Sequence, residues 1–204
     1  PKRMIVLAPT GIAAINAGGV TIHSFFQVPF APYVPESSFS ADGKATYRFR
    51  YGKEKINIIR SIDLLVIDEI SMVRADLLDS VDAVLRRFRD RNKPFGGVQL
   101  LMIGDLQQLS PVVKDDEWQM LRKYYDTPYF FSSQALKQTE YCTIELKKVY
   151  RQNDGTFLEL LNRIRENRCD GQVLEALNRR YIPNFVPDLS LIHISEPTRH
   201  SLIS

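Results

Sequence analysis

The chain has 204 residues and a formal net charge of +3, with 44% apolar and 25% charged residues. These values are typical of a globular protein of one or two domains, and the small basic excess is only a weak sign of a polyanionic partner. We see no membrane-length apolar run and no charged-then-apolar leader, and we expect the true start to lie upstream of Pro1. Cys142 and Cys169 lack metal-ligand spacing and framework partners, which argues against zinc and favours a reducing compartment.

The chain opens with a short apolar run, residues 3–7, followed by a turn at residues 8–11 and a helical segment at residues 12–17. This order predicts a strand, a turn and a helix. Gly18-Gly19 is predicted to end the helix.

A mixed polar and aromatic segment, residues 20–26, comes next. Its hydroxyls, His23 and its aromatic rings could hold a sugar-phosphate chain and stack a base, as single-strand binders do. On residue types alone we favour the alternative, in which Phe25 and Phe26 are core residues and His23 lies on the surface.

Prolines and small polar residues between positions 28 and 51 predict a long surface loop, with a hairpin around Asp42-Gly43. This loop suggests no chemistry. Residues 53–61 then predict a short helix that leads into the next strand.

A continuous apolar run at residues 62–67 predicts a buried strand in a parallel sheet that helices cover on both faces. Asp68 and Glu69 stand at its carboxyl end, where ligands bind in open α/β sheets. Both carboxylates can face one site only if the chain already curls off the sheet there. The pair suits nucleotide hydrolysis, in which the Asp holds Mg²⁺ through water and the Glu deprotonates the attacking water. The alternative is a solvated acidic turn.

Apolar residues at helical spacing between positions 77 and 88 predict an amphipathic helix that covers the sheet. Its other face carries the charged residues Arg74, Asp76, Asp79, Asp82, Arg86 and Arg87.

A third apolar strand is predicted at residues 98–103, and it runs into a polar turn at residues 104–112. A Gln in this turn can hold an attacking water or a terminal phosphate without changing its protonation state. The alternative is an ordinary Gly-Asp turn.

The remaining elements are predicted to be strands at residues 129–131 and 142–146, and helices at residues 156–167 and 172–181. Arg151 follows the second of these strands. It could stabilise charge on a transferring phosphoryl group, or it could simply form a salt bridge.

Residues 189–204 break from the composition of the rest and resemble a translated sequencing-library adapter, so we exclude them from fold reasoning. His193 and His200 fall in this tail. His23 is then the one histidine of the body, which excludes a histidine-based metal cluster.

Five motifs, in this order and at this spacing, resemble the Pif family of superfamily 1 DNA helicases, relatives of the RecD-like helicases. The resemblance covers residues 2 to about 188. The motifs are APTGIAA (residues 8–14), GVTIHSF (19–25), IDEISM (67–72), GDLQQL (104–109) and YRQ (150–152).

The resemblance implies an α/β fold, namely a RecA-like P-loop NTPase motor domain with a parallel sheet flanked by helices. It implies an incomplete first motor domain at residues 1–150, the start of a second at residues 151–188, and a non-native tail at residues 189–204.

The resemblance also implies ATP and Mg²⁺ as cofactors and four residues that act on them. Asp68 would bind Mg²⁺, and Glu69 would be the base for the attacking water. Gln108 would sense the terminal phosphate of ATP, and Arg151 would be an arginine finger.

Single-stranded DNA would lie along two segments, and similar proteins move toward the 3′ end of the strand they hold. The resemblance therefore implies 5′-to-3′ translocation and unwinding of duplex or forked DNA, in repair, recombination and telomere maintenance. We expect a monomer without membrane contact in the cytoplasm, associated with the nucleoid if the source is bacterial. The residues implied to contact DNA are Pro9, Thr10, Gly11, Thr21, His23, Ser24 and Phe25.

The Gly-rich loop ending in Gly-Lys-Ser/Thr that opens this motor does not occur in the sequence, and no Lys follows Gly18-Gly19. We therefore expect a fragment that lacks the first strand and the phosphate loop, folds poorly alone and does not hydrolyse ATP alone. One alternative is a nucleic-acid-binding regulatory module with a degenerate, non-hydrolysing nucleotide site, although Glu69, Gln108 and Arg151 are the residues that hydrolysis needs. Another is an RNA-directed or relaxase-linked helicase of the same superfamily.

Overall fold

The computed structural model describes residues 2–34, 51–150 and 154–183. Three sequence predictions lie outside these residues: the hairpin at Asp42-Gly43, the position of Arg151, and the tail at residues 189–204. The chain divides into two compact units between Ile144 and Glu145. Each unit is described by itself.

A parallel sheet forms the centre of the first unit. Its order in the described part of the chain is β2-β1-β3-β4, and each neighbouring pair is parallel. Because all four strands run in the same direction, their carboxyl ends lie at one edge of the sheet. The parallel sheet predicted from the apolar runs is therefore confirmed. The strands are β1 (Met4–Ala8), β2 (Val20–Thr21), β3 (Leu64–Ile67) and β4 (Gln99–Met102).

Helices of the first unit flank this sheet. The helices predicted in both units are confirmed, with ends that differ from the prediction by at most three residues. Three short helices, α2, α5 and α6, were not predicted, because four to seven residues are too few to show a helical period. The helices of the first unit are α1 (Gly11–Asn16), α2 (Ile22–Phe26), α3 (Lys53–Arg60), α4 (Ala75–Phe88), α5 (Asp115–Leu121) and α6 (Gln134–Lys137). Those of the second are α7 (Gly155–Arg165) and α8 (Gly171–Asn178).

The core of the first unit lies between the sheet and its helices. Leu65 and Ile67, which share one face of β3, are fully buried, and on the other face Val66 is 7% exposed and Leu64 is half-buried. Phe26 of α2 and Leu78 and Leu85 of α4 pack into the same cluster. No helix of the described residues is both long enough and apolar enough to cross a bilayer.

Two predicted strands do not form. Phe130–Ser132 is a 3₁₀ turn, and its neighbour Tyr129 makes only an isolated antiparallel bridge with Arg74. Residues 142–146 have no regular structure, and Ile144 is 79% exposed. Aromatic and β-branched residues raise strand propensity, but a strand also needs a partner, and the pattern of a single segment does not supply one.

The charged face of α4 is largely buried, which corrects its reading as a simple amphipathic helix. Asp76, Asp79 and Asp82 are at most 9% exposed. Each carboxylate is satisfied by donors from other parts of the first unit: Asp76 by Arg74, Asp79 by Ser133, and Asp82 by the backbone N–H of Phe95. Buried carboxylates are tolerated when hydrogen bonds replace their water, so hydropathy alone misassigned this face.

Candidate nucleotide and DNA site at the carboxyl edge

The acidic pair begins a sharp turn directly after β3. Glu69 has a left-handed backbone, with φ 50° and ψ 44°, and a 3₁₀ turn at Ile70–Met72 follows it. The Asp68 N–H donates to Leu7 O of β1 at 2.8 Å, and Asp68 Oδ1 accepts from the Glu69 N–H at 2.9 Å. The chain therefore leaves the sheet at Glu69, which meets the condition for both carboxylates to face one site. A left-handed non-glycine residue costs about 1–3 kcal/mol, and such strain is often found at functional sites.

The turn after β4 packs directly against this acidic turn. The Ile70 N–H donates to Ile103 O at 2.9 Å. A Cβ added to Gly104 would lie 2.9 Å from Ile70 Cγ2 and 3.0 Å from Ile70 N. Only glycine allows this approach, so Gly104 keeps the two turns in contact.

Gln108 lies on the turn that Gly104 begins. Asp105 organises this turn: its Oδ1 accepts from the Gln107 N–H at 3.0 Å, and its Oδ2 accepts from Gln108 Nε2 at 3.1 Å. The Gln108 side chain is exposed. Asp68, Glu69 and Gln108 were predicted to follow the carboxyl ends of strands, and the structure shows in addition that these strands, β3 and β4, are neighbours.

The acidic turn suits Mg²⁺ in its composition. Asp68 and Glu69 are half-buried, and neither forms an ion pair with another described residue. Across the described ranges no three or more His, Cys, Asp or Glu side chains cluster as a metal site. Mg²⁺ in nucleotide sites usually needs only one or two carboxylates besides water and phosphate, so Asp68 could hold it.

The segments predicted to contact DNA occupy the other half of the same edge. Residues 9–11 follow β1 and residues 21–25 overlap the end of β2, and these two strands are neighbours. Thr10 Oγ1 accepts from the Ala13 N–H and Thr21 Oγ1 accepts from the Ser24 N–H, both at 3.2 Å. The two threonines therefore cap α1 and α2. Pro9 is half-buried, whereas Gly11 and Ser24 are exposed.

Two rings of the second segment differ in their surroundings. Phe25 is 8% exposed, packs edge-on against Phe26 and lies under Lys55 Nζ at 3.7 Å, which confirms that Phe25 and Phe26 are core residues. A contribution of Phe25 to DNA binding would therefore come through the placement of α2. His23 is half-buried and stacks on Phe30, with ring centroids 4.4 Å apart. Burial, together with the charge of Arg74, lowers the pKa of His23.

Sequence reasoning missed several residues near this edge. Gly104 stands inside a recognised motif, and its close approach could have been suspected there. Phe30 is one aromatic residue in a proline-rich segment. Arg74 and Asp76 were assigned only to a charged helix face, and nothing in the local pattern connects them with His23.

Relatives of known identity match most of the chain. The profile of the PIF1-like helicase family matches residues 1–173. The human ATP-dependent DNA helicase PIF1 is 40% identical over 185 aligned residues, which cover 87% of this chain and 25% of the human protein. The chain spans 20% of the length of the yeast ATP-dependent DNA helicase PIF1 and 25% of that of the human protein.

Solved structures agree with this assignment. A Bacteroides Pif1 helicase in complex with ADP-AlF3 and single-stranded DNA is 42% identical, with a TM-score of 0.82 over 89% of this chain and 41% of that one. A structure of two coordinating Pif1 helicases that unwind forked duplex DNA has a TM-score of 0.81, with 42% identity over 89% of this chain and 43% of that one. The predicted fold class is therefore confirmed, and the chain belongs to the PIF1-like helicase family.

Proposed function

We propose that this chain is part of the motor of an ATP-dependent DNA helicase that moves 5′ to 3′ along single-stranded DNA and unwinds duplexes. The observation that carries the proposal is the arrangement of the carboxyl edge. The acidic turn after β3 is hydrogen-bonded to the end of β4, where the Gln108 turn begins. The two candidate DNA segments follow the neighbouring strands β1 and β2. ATP and single-stranded DNA would therefore bind next to each other at the carboxyl edge of the same sheet.

The residues of the acidic half divide the work of hydrolysis. Asp68 would hold Mg²⁺, which would supply positive charge against the phosphates. Glu69 accepts a proton from the attacking water, and Gln108 hydrogen-bonds at the terminal phosphate. Arg151, proposed from the family resemblance, stabilises the charge of the transferred group.

Strand β1 offers a physical link between hydrolysis and DNA. The Asp68 N–H donates to Leu7 O, and Pro9, the first residue of the DNA segment, comes two residues after Leu7, directly beyond the end of β1. We propose that a shift of the acidic turn is passed to the end of β1 through this hydrogen bond. This contact couples the two halves of the edge.

Substitution of Glu69 tests the catalytic assignment. In the full-length protein, Glu69→Gln keeps the size and hydrogen-bonding capacity of the side chain but removes the base. We expect ATP binding to persist while DNA-stimulated hydrolysis falls at least about 100-fold. Nucleotide binding by fluorescence and turnover by phosphate release measure the two effects.

Glu54→Gln is the matched control, because Glu54 is an exposed residue of the first turn of α3. It should leave hydrolysis unchanged. Normal turnover in the Glu69 variant, or loss of ATP binding in it, would contradict the role of Glu69 as the base.

The direction and nucleic acid are tested with tailed duplexes. Unwinding should require a 5′ single-stranded DNA tail, and an RNA tail should support it poorly. We also propose that the protein binds duplex or forked DNA, acts as a monomer and works in the cytoplasm, associated with the nucleoid if the source is bacterial. A regulatory module with a degenerate site would instead bind DNA without any DNA-stimulated hydrolysis.

A further inference from the structure

A cavity of about 230 Å³ lies beside the two candidate DNA segments at the carboxyl edge of the sheet, and neither ATP hydrolysis nor binding of the DNA backbone requires it. Pro9 and Thr10 from the end of β1 and His23 from α2 form part of its wall. Phe30, Arg74 and Asp76 also line it. It is therefore built partly from the same residues that are proposed to follow single-stranded DNA.

We propose that this cavity takes one unstacked base of the bound DNA strand, with the base lying against the ring of Phe30. The proposal rests on the proposed function and adds a subsite to it. The DNA backbone follows the segments after β1 and β2, and one base turns from the strand into the cavity.

Phe30 provides the stacking face. Its side chain is 81% exposed, although a phenylalanine normally avoids water. The ring stacks on His23 with an interplanar angle of 20°, so a second ring supports it. Exposed aromatic rings on which bases stack are the common device of single-strand binding, and each is worth about 1–3 kcal/mol per base.

The charges around the cavity favour a neutral ring over a phosphate. Arg74 donates through Nε and a terminal nitrogen to Asp76 at 2.8 and 2.7 Å, and its other terminal nitrogen reaches Glu117 at 3.1 Å. Two carboxylates therefore offset its positive charge. The lowered pKa of His23 keeps the imidazole neutral near pH 7. A phosphate would meet no net positive charge here, whereas a base needs none.

The size of the cavity points to the same ligand. Sites for drug-sized molecules usually occupy about 300–1,000 Å³. The smaller volume here suits a single heterocycle and not a whole nucleotide or a peptide segment. The remaining wall is mostly apolar, with Val28, Pro29, Met72 and Leu77 among its residues, and would cover the flat faces of a base, while Tyr33 and Ser80 add polar atoms.

The test is an abasic scan of a short oligothymidylate bound to the full-length protein, read by fluorescence anisotropy. Each oligonucleotide carries one abasic site at a different position. In the wild type, one position should weaken binding about 5- to 100-fold, which corresponds to the stacking energy of one base. In Phe30→Ala that position should lose its effect, while Phe30→Trp should keep it because the indole also stacks.

Tyr141→Ala is the control, because Tyr141 is an exposed aromatic residue of the first unit that does not line the cavity. Its abasic profile should match the wild type. The proposal would be overturned if no abasic position weakened binding in the wild type, or if Phe30→Ala left the abasic profile unchanged. Either result would leave the proposed DNA binding and ATP hydrolysis unaffected. Loss of ATP affinity in Phe30→Ala with an unchanged DNA profile would also overturn it, since the base would then come from ATP. Absence of any DNA binding would refute the proposed function itself.

Discussion

Replacement of Gly104 by alanine tests whether the contact between the two turns of the acidic half matters. The added Cβ would lie 2.9 Å from Ile70 Cγ2, 3.0 Å from Ile70 N and 3.1 Å from Ser71 N. The methyl group of Ile70 can rotate away. The backbone nitrogens cannot, because Ile70 N is already bonded to Ile103 O at 2.9 Å. The turn that carries Gln108 must therefore move.

The size of the effect follows from these distances. Contacts of 3.0 and 3.1 Å between the added Cβ and the two backbone nitrogens are tighter than the usual separation, so relief requires a displacement of a few tenths of an ångström. Overpacking of this kind costs about 1–3 kcal/mol of unfolding free energy. A misplacement of about 1 Å in a catalytic group can lower turnover about 100-fold, so for this smaller displacement we expect a loss of ATP hydrolysis of about 3- to 10-fold in Gly104→Ala.

Urea unfolding and DNA-stimulated ATP hydrolysis of the full-length protein measure the two quantities. Gly171→Ala is the control: nothing lies within 4 Å of its added Cβ, and Gly171 is the first residue of α8, where alanine is the better helix former. It should retain full stability and turnover. If Gly104→Ala hydrolyses ATP at the wild-type rate, the packing of the two turns does not position Gln108.

Two further predictions concern stability. Asp79→Ala should lower the unfolding free energy by about 3–5 kcal/mol in urea titrations, because four donors lose their acceptor: the hydroxyls of Tyr125 and Ser133 and the N–H of Ala135, which are buried, and the part-buried N–H of Gln134. Asp126→Ala, which breaks only an exposed ion pair, should lower the unfolding free energy by less than about 1 kcal/mol. Equal losses of unfolding free energy in the two variants would contradict this prediction. The folded-state pKa of His23 is below its ordinary value of 6.5, so its contribution to stability is present above that pH and is lost as the pH falls below it. The urea midpoint should therefore fall less between about pH 7.5 and pH 5 in His23→Gln than in the wild type, and parallel decreases would contradict this.

The sequence by itself determined the elements of the acidic half. A strand buried on both faces must be apolar throughout, so β3 and the position of Asp68 and Glu69 at its end were predictable from a few consecutive residues. Helix α4 was also predictable from its own segment, because its apolar residues recur at helical spacing. The motif order was sufficient for the family, because each motif is a short run of fixed residues.

Only the tertiary structure decided which parts are neighbours. The order β2-β1-β3-β4 places the two candidate DNA segments together and the acidic turn beside the Gln108 turn. The burial of Asp79 and the stack of His23 on Phe30 also depend on partners seven to more than fifty residues away in the chain. The strand predicted at residues 129–131 failed for the same reason, since pairing is decided by a partner. Contacts between distant segments leave no periodic trace in either segment, so the cavity beside Phe30 was visible only in the folded chain.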